Sequence, residues 1–248
     1  MTRLLLMMLG LLLGLLPFAA QAQSLEADLR ALDAMRKGLD TPLDEVDGRG
    51  EALLKQYEEP AQQAQIYYQL AHVHAQSGMK QPAQILKYAQ TALDSKLVTP
   101  EQRGVLYSYI GSAHEVDPTT KDFATRRKRA GEAMLKGWQE LNAFGLPDAA
   151  PELPPFPAIG DRFGDPVEQA RRQREAEAAQ RARQEVARIR DLVQRRAVLK
   201  DQLRWLYARD PVADEELTTL ATKEVGADLA KGLLQDVKAE RERRIKKP

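Results

Sequence analysis

One pattern constrains the fold of this chain more than any other. Tyr67-x-x-Leu70-Ala71-x-x-His74 recurs as Tyr107-x-x-Ile110-Gly111-x-x-His114, displaced by 40 residues. Positions i, i+3, i+4 and i+7 share one helix face. Bulky residues at i and i+3 fill the space between helices, and a small one at i+4 lets a neighbouring helix approach. Pro60 precedes the first copy and Pro100 the second, as proline does at a helix start. Each copy is followed by a second helical stretch: 82–94 after Ser77-Gly78, and 122–142 after Asp117-Pro118. One helical hairpin cannot bury its apolar face alone, whereas stacked hairpins share a core.

The pattern resembles the first helix of a tetratricopeptide repeat, W-x-x-L-G-x-x-Y, with Tyr replacing Trp and His replacing the last Tyr. The resemblance covers roughly residues 61–142. The period is 40 here, against about 34 in the family. The second-helix alanine signature is kept only at Ala83, Ala89 and Ala130. The resemblance implies stacked antiparallel hairpins whose first helices line a concave groove. Its groove positions map to Gln65, Tyr68, His72 and Gln76, then Ser108, Ser112 and Glu115. That set is polar with one aromatic, and suits an extended peptide or the tail of a protein partner. Tyr68 and His72 are four apart and share a face.

Around this repeat the chain divides by composition. Residues 25–39 carry Leu25, Leu29, Leu32, Met35 and Leu39 at 3–4 spacing, an amphipathic helix ending at Thr41-Pro42. Gly48-Arg49-Gly50 reads as a turn, with a short helix over 51–59 after it. Six of the fourteen prolines fall in 147–166, so that stretch is extended. It is either a linker or a strap laid over the helical domain. From 167 to 207 nothing breaks a helix. Residues 171–185 are almost wholly polar, which predicts a solvent-projecting end. Residues 186–206 carry Ile189, Leu192, Leu199, Leu203 and Leu206, a coiled-coil-like seam interrupted by Arg196. Two short helices are expected near 213–223 and 226–240. Their apolar set, Leu217, Leu220, Leu229, Leu233, Leu234 and Val237, is expected to fold back on the seam.

At the N-terminus, Arg3 precedes an apolar run over residues 4–16, followed by Pro17 and Ala20-Gln21-Ala22. Charged start, short apolar core and small-x-small exit are the parts of a secretory signal peptide, here cut before Gln23. The run is short against the roughly 20 residues a bilayer span needs. Loss of Arg3 leaves 36 basic against the 36 acidic residues, a balance with no general attraction for nucleic acid. The chain has no cysteine, which excludes disulfides, thiol nucleophiles and cysteine-ligated zinc.

The motifs of catalysis are missing too. His72, His74 and His114 are the only histidines, and His72 and His74, two apart, point to different helix faces. They read as packing or interface residues rather than metal ligands. No nucleophile elbow, phosphate loop, dinucleotide fingerprint or H-E-x-x-H appears. Two basic stretches, Arg126-Arg127-Lys128-Arg129 and the twelve basic residues of 171–209, read as solvated helix surface.

The expected protein is all-α. It has a signal peptide (1–22), a tetratricopeptide-like domain (23–146), a proline-rich linker (147–166), and a long charged helix with a helical hairpin (167–248). It is expected to be exported, periplasmic or secreted in a bacterium, and non-catalytic, without cofactor or metal. It would act as a scaffold for a protein or peptide, with self-association open through 186–206, no nucleic acid, and membrane contact only if the N-terminal segment is retained. The alternatives are a membrane-anchored structural envelope protein with a helical stalk, and an enzyme whose active site carries no recognisable motif.

Overall fold

The computed structural model describes residues 24–35, 41–155 and 166–246. The apolar run 4–16, the cut before Gln23, Leu39 and most of the proline-rich stretch beyond 155 lie outside the described residues. Every regular element among the described residues is helical, so the fold is all-α. No helix among them is long and apolar enough to cross a membrane. The chain forms two compact units, 1–133 and 134–248.

In the first unit the helices are α1 (24–35), α2 (Leu43–Gln56), α3 (Pro60–Gln76), α4 (Pro82–Asp94), α5 (Pro100–Val116) and the start of α6 (Phe123–Ala143). Prolines open α3, α4 and α5 at the first helical turn, where the missing N–H would find no partner anyway. Thr99 and Gln102 close a reciprocal capping box at the start of α5. Asp122 accepts the Thr125 amide at 2.9 Å as α6 begins. Short loops join α3 to α4 and α4 to α5, and each of these consecutive pairs packs together. Helix α3 packs on α2, α4 and α5, and α4 packs on α5. The core between them holds Leu32, Leu53, Ile66, Leu70, Ala89 and Leu106, with Ala133 entering from α6.

Two expectations fail here. Gly48-Arg49-Gly50 is not a turn but the middle of α2. A side chain on Gly50 would begin 2.6 Å from a Leu70 methyl, so this glycine serves close helix approach rather than a bend. The helix expected over 51–59 accordingly starts earlier, at Leu43, and ends at Gln56. Nor is the 126–129 cluster wholly solvated: Arg127 is buried, with its guanidinium 6.0 Å from the Phe123 ring.

The second unit contains the rest of α6, a segment over 144–155, α7 (Pro166–Ala208), a single 3₁₀ turn (Pro211–Ala213), α8 (Asp214–Val225) and α9 (Ala227–Lys246). At 43 residues, α7 is about 65 Å long. Its first part is exposed and carries i,i+4 pairs such as Arg172–Glu168 and Arg171–Glu175. Its last part buries Leu192, Leu199, Leu203, Leu206 and Tyr207, and α9 packs on both α7 and α8. The predicted fold-back is present, and the seam is covered within the chain. Leu217, Leu220, Leu233 and Val237 are buried, whereas Leu229 is exposed. Gly226, at φ +87°, supplies the left-handed residue that separates α8 from α9.

The arginine inside the seam has a partner. Arg196 donates to the carbonyls of Leu146 (3.2 Å) and Pro147 (2.6 Å). Arg183 donates to the Pro154 carbonyl, and Arg188 lies 5.8 Å from the Phe144 ring. The described part of the proline-rich stretch, 147–155, with residues 144–146 before it, thus meets α7, where Arg196 and Arg183 take up the carbonyls of Leu146, Pro147 and Pro154.

Candidate functional site

In the first unit two polar arrangements stand out, one enclosed and one open. The enclosed one joins α2, α3 and α4. His74 is fully buried, and its Nε2–H donates to Asp47 Oδ1 at 2.7 Å. The Tyr88 hydroxyl donates to the same oxygen at 2.9 Å. The His74 and Tyr88 rings are 5.5 Å apart, and Tyr67 stands 6.2 Å beyond Tyr88. Burial, then the Asp47 hydrogen bond, pushes the Tyr88 phenol well above its ordinary range. This cluster pins helices together; a hydrogen bond to a charged group is worth about 1.5–3 kcal/mol.

The open arrangement lies between α1 and α3. It is a concavity of about 450 Å³ lined by Glu26, Leu29, Arg30, Asp33, Tyr68, Gln69 and His72, within the range of small ligand sites. The Tyr68 and His72 rings stack at 6.5 Å and 18°, a consequence of their i,i+4 spacing. His72 Nδ1 lies 2.7 Å from the Tyr109 hydroxyl of α5, which fixes the imidazole ring from behind. Across the hollow, Asp33 Oδ1 is 3.8 Å from His72 Nε2. At the rim Arg30 reaches back along α1 to Glu26 at 2.5 Å.

The other expected groove residues have different settings. Gln65 forms a reciprocal amide pair with Gln102 of α5, at 2.6 and 3.3 Å. Gln76 is exposed at the end of α3. The Ser108 hydroxyl donates to the Val105 carbonyl of its own helix at 2.7 Å. Ser112 and Glu115 are half-buried on α5. Of the expected set, the structure gathers Tyr68 and His72 into the hollow. It adds the α1 residues Glu26, Leu29, Arg30 and Asp33 and, behind them, Tyr109, none of which the repeat pattern singles out. The available signal was the amphipathic spacing of α1: a helix with an apolar face beside a repeat must pack on it, and its polar flank then lines whatever groove results.

His74 and His114, equivalent in the repeat, have separate environments. Burial, with help from the Arg129 charge, lowers the pKa of His114 below the ordinary histidine range. Among the described residues no group of three or more His, Cys, Asp or Glu could hold a metal ion.

No family model, curated protein or solved structure matches this chain.

Proposed function

We propose that this protein is an exported, non-catalytic scaffold whose stacked hairpins, tetratricopeptide-like in pattern, bind an extended segment of a protein partner on the α1–α3 face. The observation that carries the reading is the concavity over the Tyr68–His72 stack. Its aromatic floor is held rigid by Tyr109, and its wall is polar. Repeat proteins bind through such shared inner faces because each repeat contributes one helix to them. Stacked rings give contact area at low entropic cost, and half-exposed polar groups supply hydrogen bonds to a peptide backbone.

Export is supported by the charged start, the apolar run over 4–16 and Ala20-Gln21-Ala22. The same run supports a second reading, a retained anchor holding a structural envelope protein. Intact mass and membrane fractionation of the chain expressed in a Gram-negative host separate the two. Cleavage before Gln23 with a soluble product favours export, and an uncut membrane-bound chain favours the anchor.

The scaffold reading is tested by affinity capture from a cell envelope with the wild type and with Tyr68→Ala, folding being checked by circular dichroism. The expected result is a defined partner retained by the wild type and lost by the variant. Equal capture by both would place binding elsewhere.

A further inference from the structure

One basic stretch of the sequence has no part in the α1–α3 face. Residues 121–129 hold five basic side chains, Lys121, Arg126, Arg127, Lys128 and Arg129, and one acidic, Asp122. The chain as a whole is nearly balanced, with 37 basic and 36 acidic residues. The stretch forms the end of the turn after α5 and the first turns of α6. Arg127 is buried, and its guanidinium and that of Arg126 each lie 6.0 Å from the Phe123 ring. Lys121, Lys128 and Arg129 are exposed, and Arg126 is half-buried.

The carboxylates of this corner serve its own backbone and hydroxyls. Asp117 is buried and accepts the Thr119 amide at 2.9 Å and the Thr119 and Thr120 hydroxyls at 2.7 and 3.0 Å. Asp122, which is exposed, accepts the amides of Ala124 and Thr125 where α6 begins. Glu115 and Glu132 are half-buried. The outward charge is therefore positive. Apolar surface stands in the same place: Val116, at the end of α5, is 47% exposed and Phe123, at the start of α6, is 40% exposed.

Exposed apolar side chains among lysines and arginines match the boundary layer of an anionic bilayer. Apolar groups enter at the level where headgroups meet acyl chains, and cations meet lipid phosphates. Lysine and arginine can bury their methylene stems there while their charged heads stay at the phosphates. A bilayer takes up an aromatic ring and several cations together without a shape-matched pocket. A folded acidic partner would have to supply one.

We propose that the α5–α6 corner is a docking surface for an anionic phospholipid bilayer. Val116 and Phe123 enter the headgroup boundary, and Lys121, Arg126, Lys128 and Arg129 pair with lipid phosphates. This contact goes beyond the scaffold reading and depends neither on it nor on retention of the N-terminal segment.

The test is co-sedimentation of the full chain with two kinds of vesicle, phosphatidylcholine alone and phosphatidylcholine with about 30% phosphatidylglycerol. The apolar run over 4–16 can enter either vesicle, so the readout is the excess affinity for the anionic one. Lys128→Glu with Arg129→Glu should lower that excess at least about tenfold. Lys231→Glu with Lys238→Glu, exposed on α9, changes the net charge equally and should keep it. Phe123→Ala should lower it by a smaller factor, with folding of all variants checked by circular dichroism. No excess in the wild type overturns the proposal. An excess lost equally in both charge-reversal variants, or kept by Lys128→Glu with Arg129→Glu, overturns it too. Capture of a polyglutamate peptide without any excess on anionic vesicles would assign the corner to an acidic polypeptide instead.

Discussion

The two units solve the same problem, holding helices together without disulfides, by different means. The 1–133 unit packs hairpins so closely that Gly50 has no room for a side chain, and it encloses its polar groups as the Asp47–His74–Tyr88 cluster. The 134–248 unit ties its long helix from the side. Lys200 pairs with Asp236 at 2.6 Å, and Arg241 grips Asp214 through two nitrogens at 2.7 and 3.3 Å. Arg244 lies 4.0 Å from the Trp205 ring. Charges at a solvated surface are screened by salt, whereas enclosed ones are screened much less. The Asp47–His74–Tyr88 contacts are therefore less sensitive to ionic strength than the Lys200–Asp236 pair, whose side chains are 44% and 42% exposed. Enclosed contacts suit a binding site whose side chains must keep their geometry.

The strongest way to break this contrast is His74→Ala. It should cost about 3 kcal/mol, from the cavity beside the Tyr88 ring and from Asp47 losing a hydrogen-bond partner. Hydrogen exchange should show the loss confined to α2, α3 and α4. Gly50→Ala comes next: overpacking against Leu70 should outweigh the helix propensity gained, a net loss of about 1–2 kcal/mol by chemical denaturation. In the other unit, Arg241→Ala should cost about 1 kcal/mol, and Lys200→Ala only a few tenths because its pair is well exposed. Protection in α7–α9 should fall more between low and high salt than that of α3–α5.

The smallest effect concerns pH. The pKa of His114 is lowered in the folded chain, mainly by burial. The unfolded chain therefore takes up the proton first, below its ordinary pKa of about 6.5. Stability contributed here is intact above that value and is lost as pH falls towards the lowered folded pKa. His114→Gln should flatten the acid side of the stability profile, which thermal melts across that range would show.

Much of the helical frame was legible in the sequence because its punctuation is local. Pro60, Pro82 and Pro100 mark helix starts by removing a donor. The repeat at Tyr67 and Tyr107 located two equivalent helices because its residues lie on one face. What stayed hidden depends on distant partners. Gly50 reads as a helix breaker until Leu70 is seen beside it. Arg196 reads as a flaw in an apolar seam until the carbonyls of Leu146 and Pro147 arrive, 50 and 49 residues away in sequence. The hollow was half-visible, since Tyr68 and His72 follow from the repeat. Asp33 and Arg30 sit on a helix outside the pattern, and Tyr109 lies two residues beyond the repeat tyrosine, on the flank the pattern ignores.

The central claim is that the α1–α3 concavity is where a partner docks. The most direct test places a photo-crosslinking amino acid at position 69, in the wall of the hollow, and at position 83, exposed on α4. Both variants are illuminated in an intact cell envelope. A discrete adduct from position 69 and none from position 83 is the predicted result. Adducts from position 83 alone, or the same adducts from both, would contradict it.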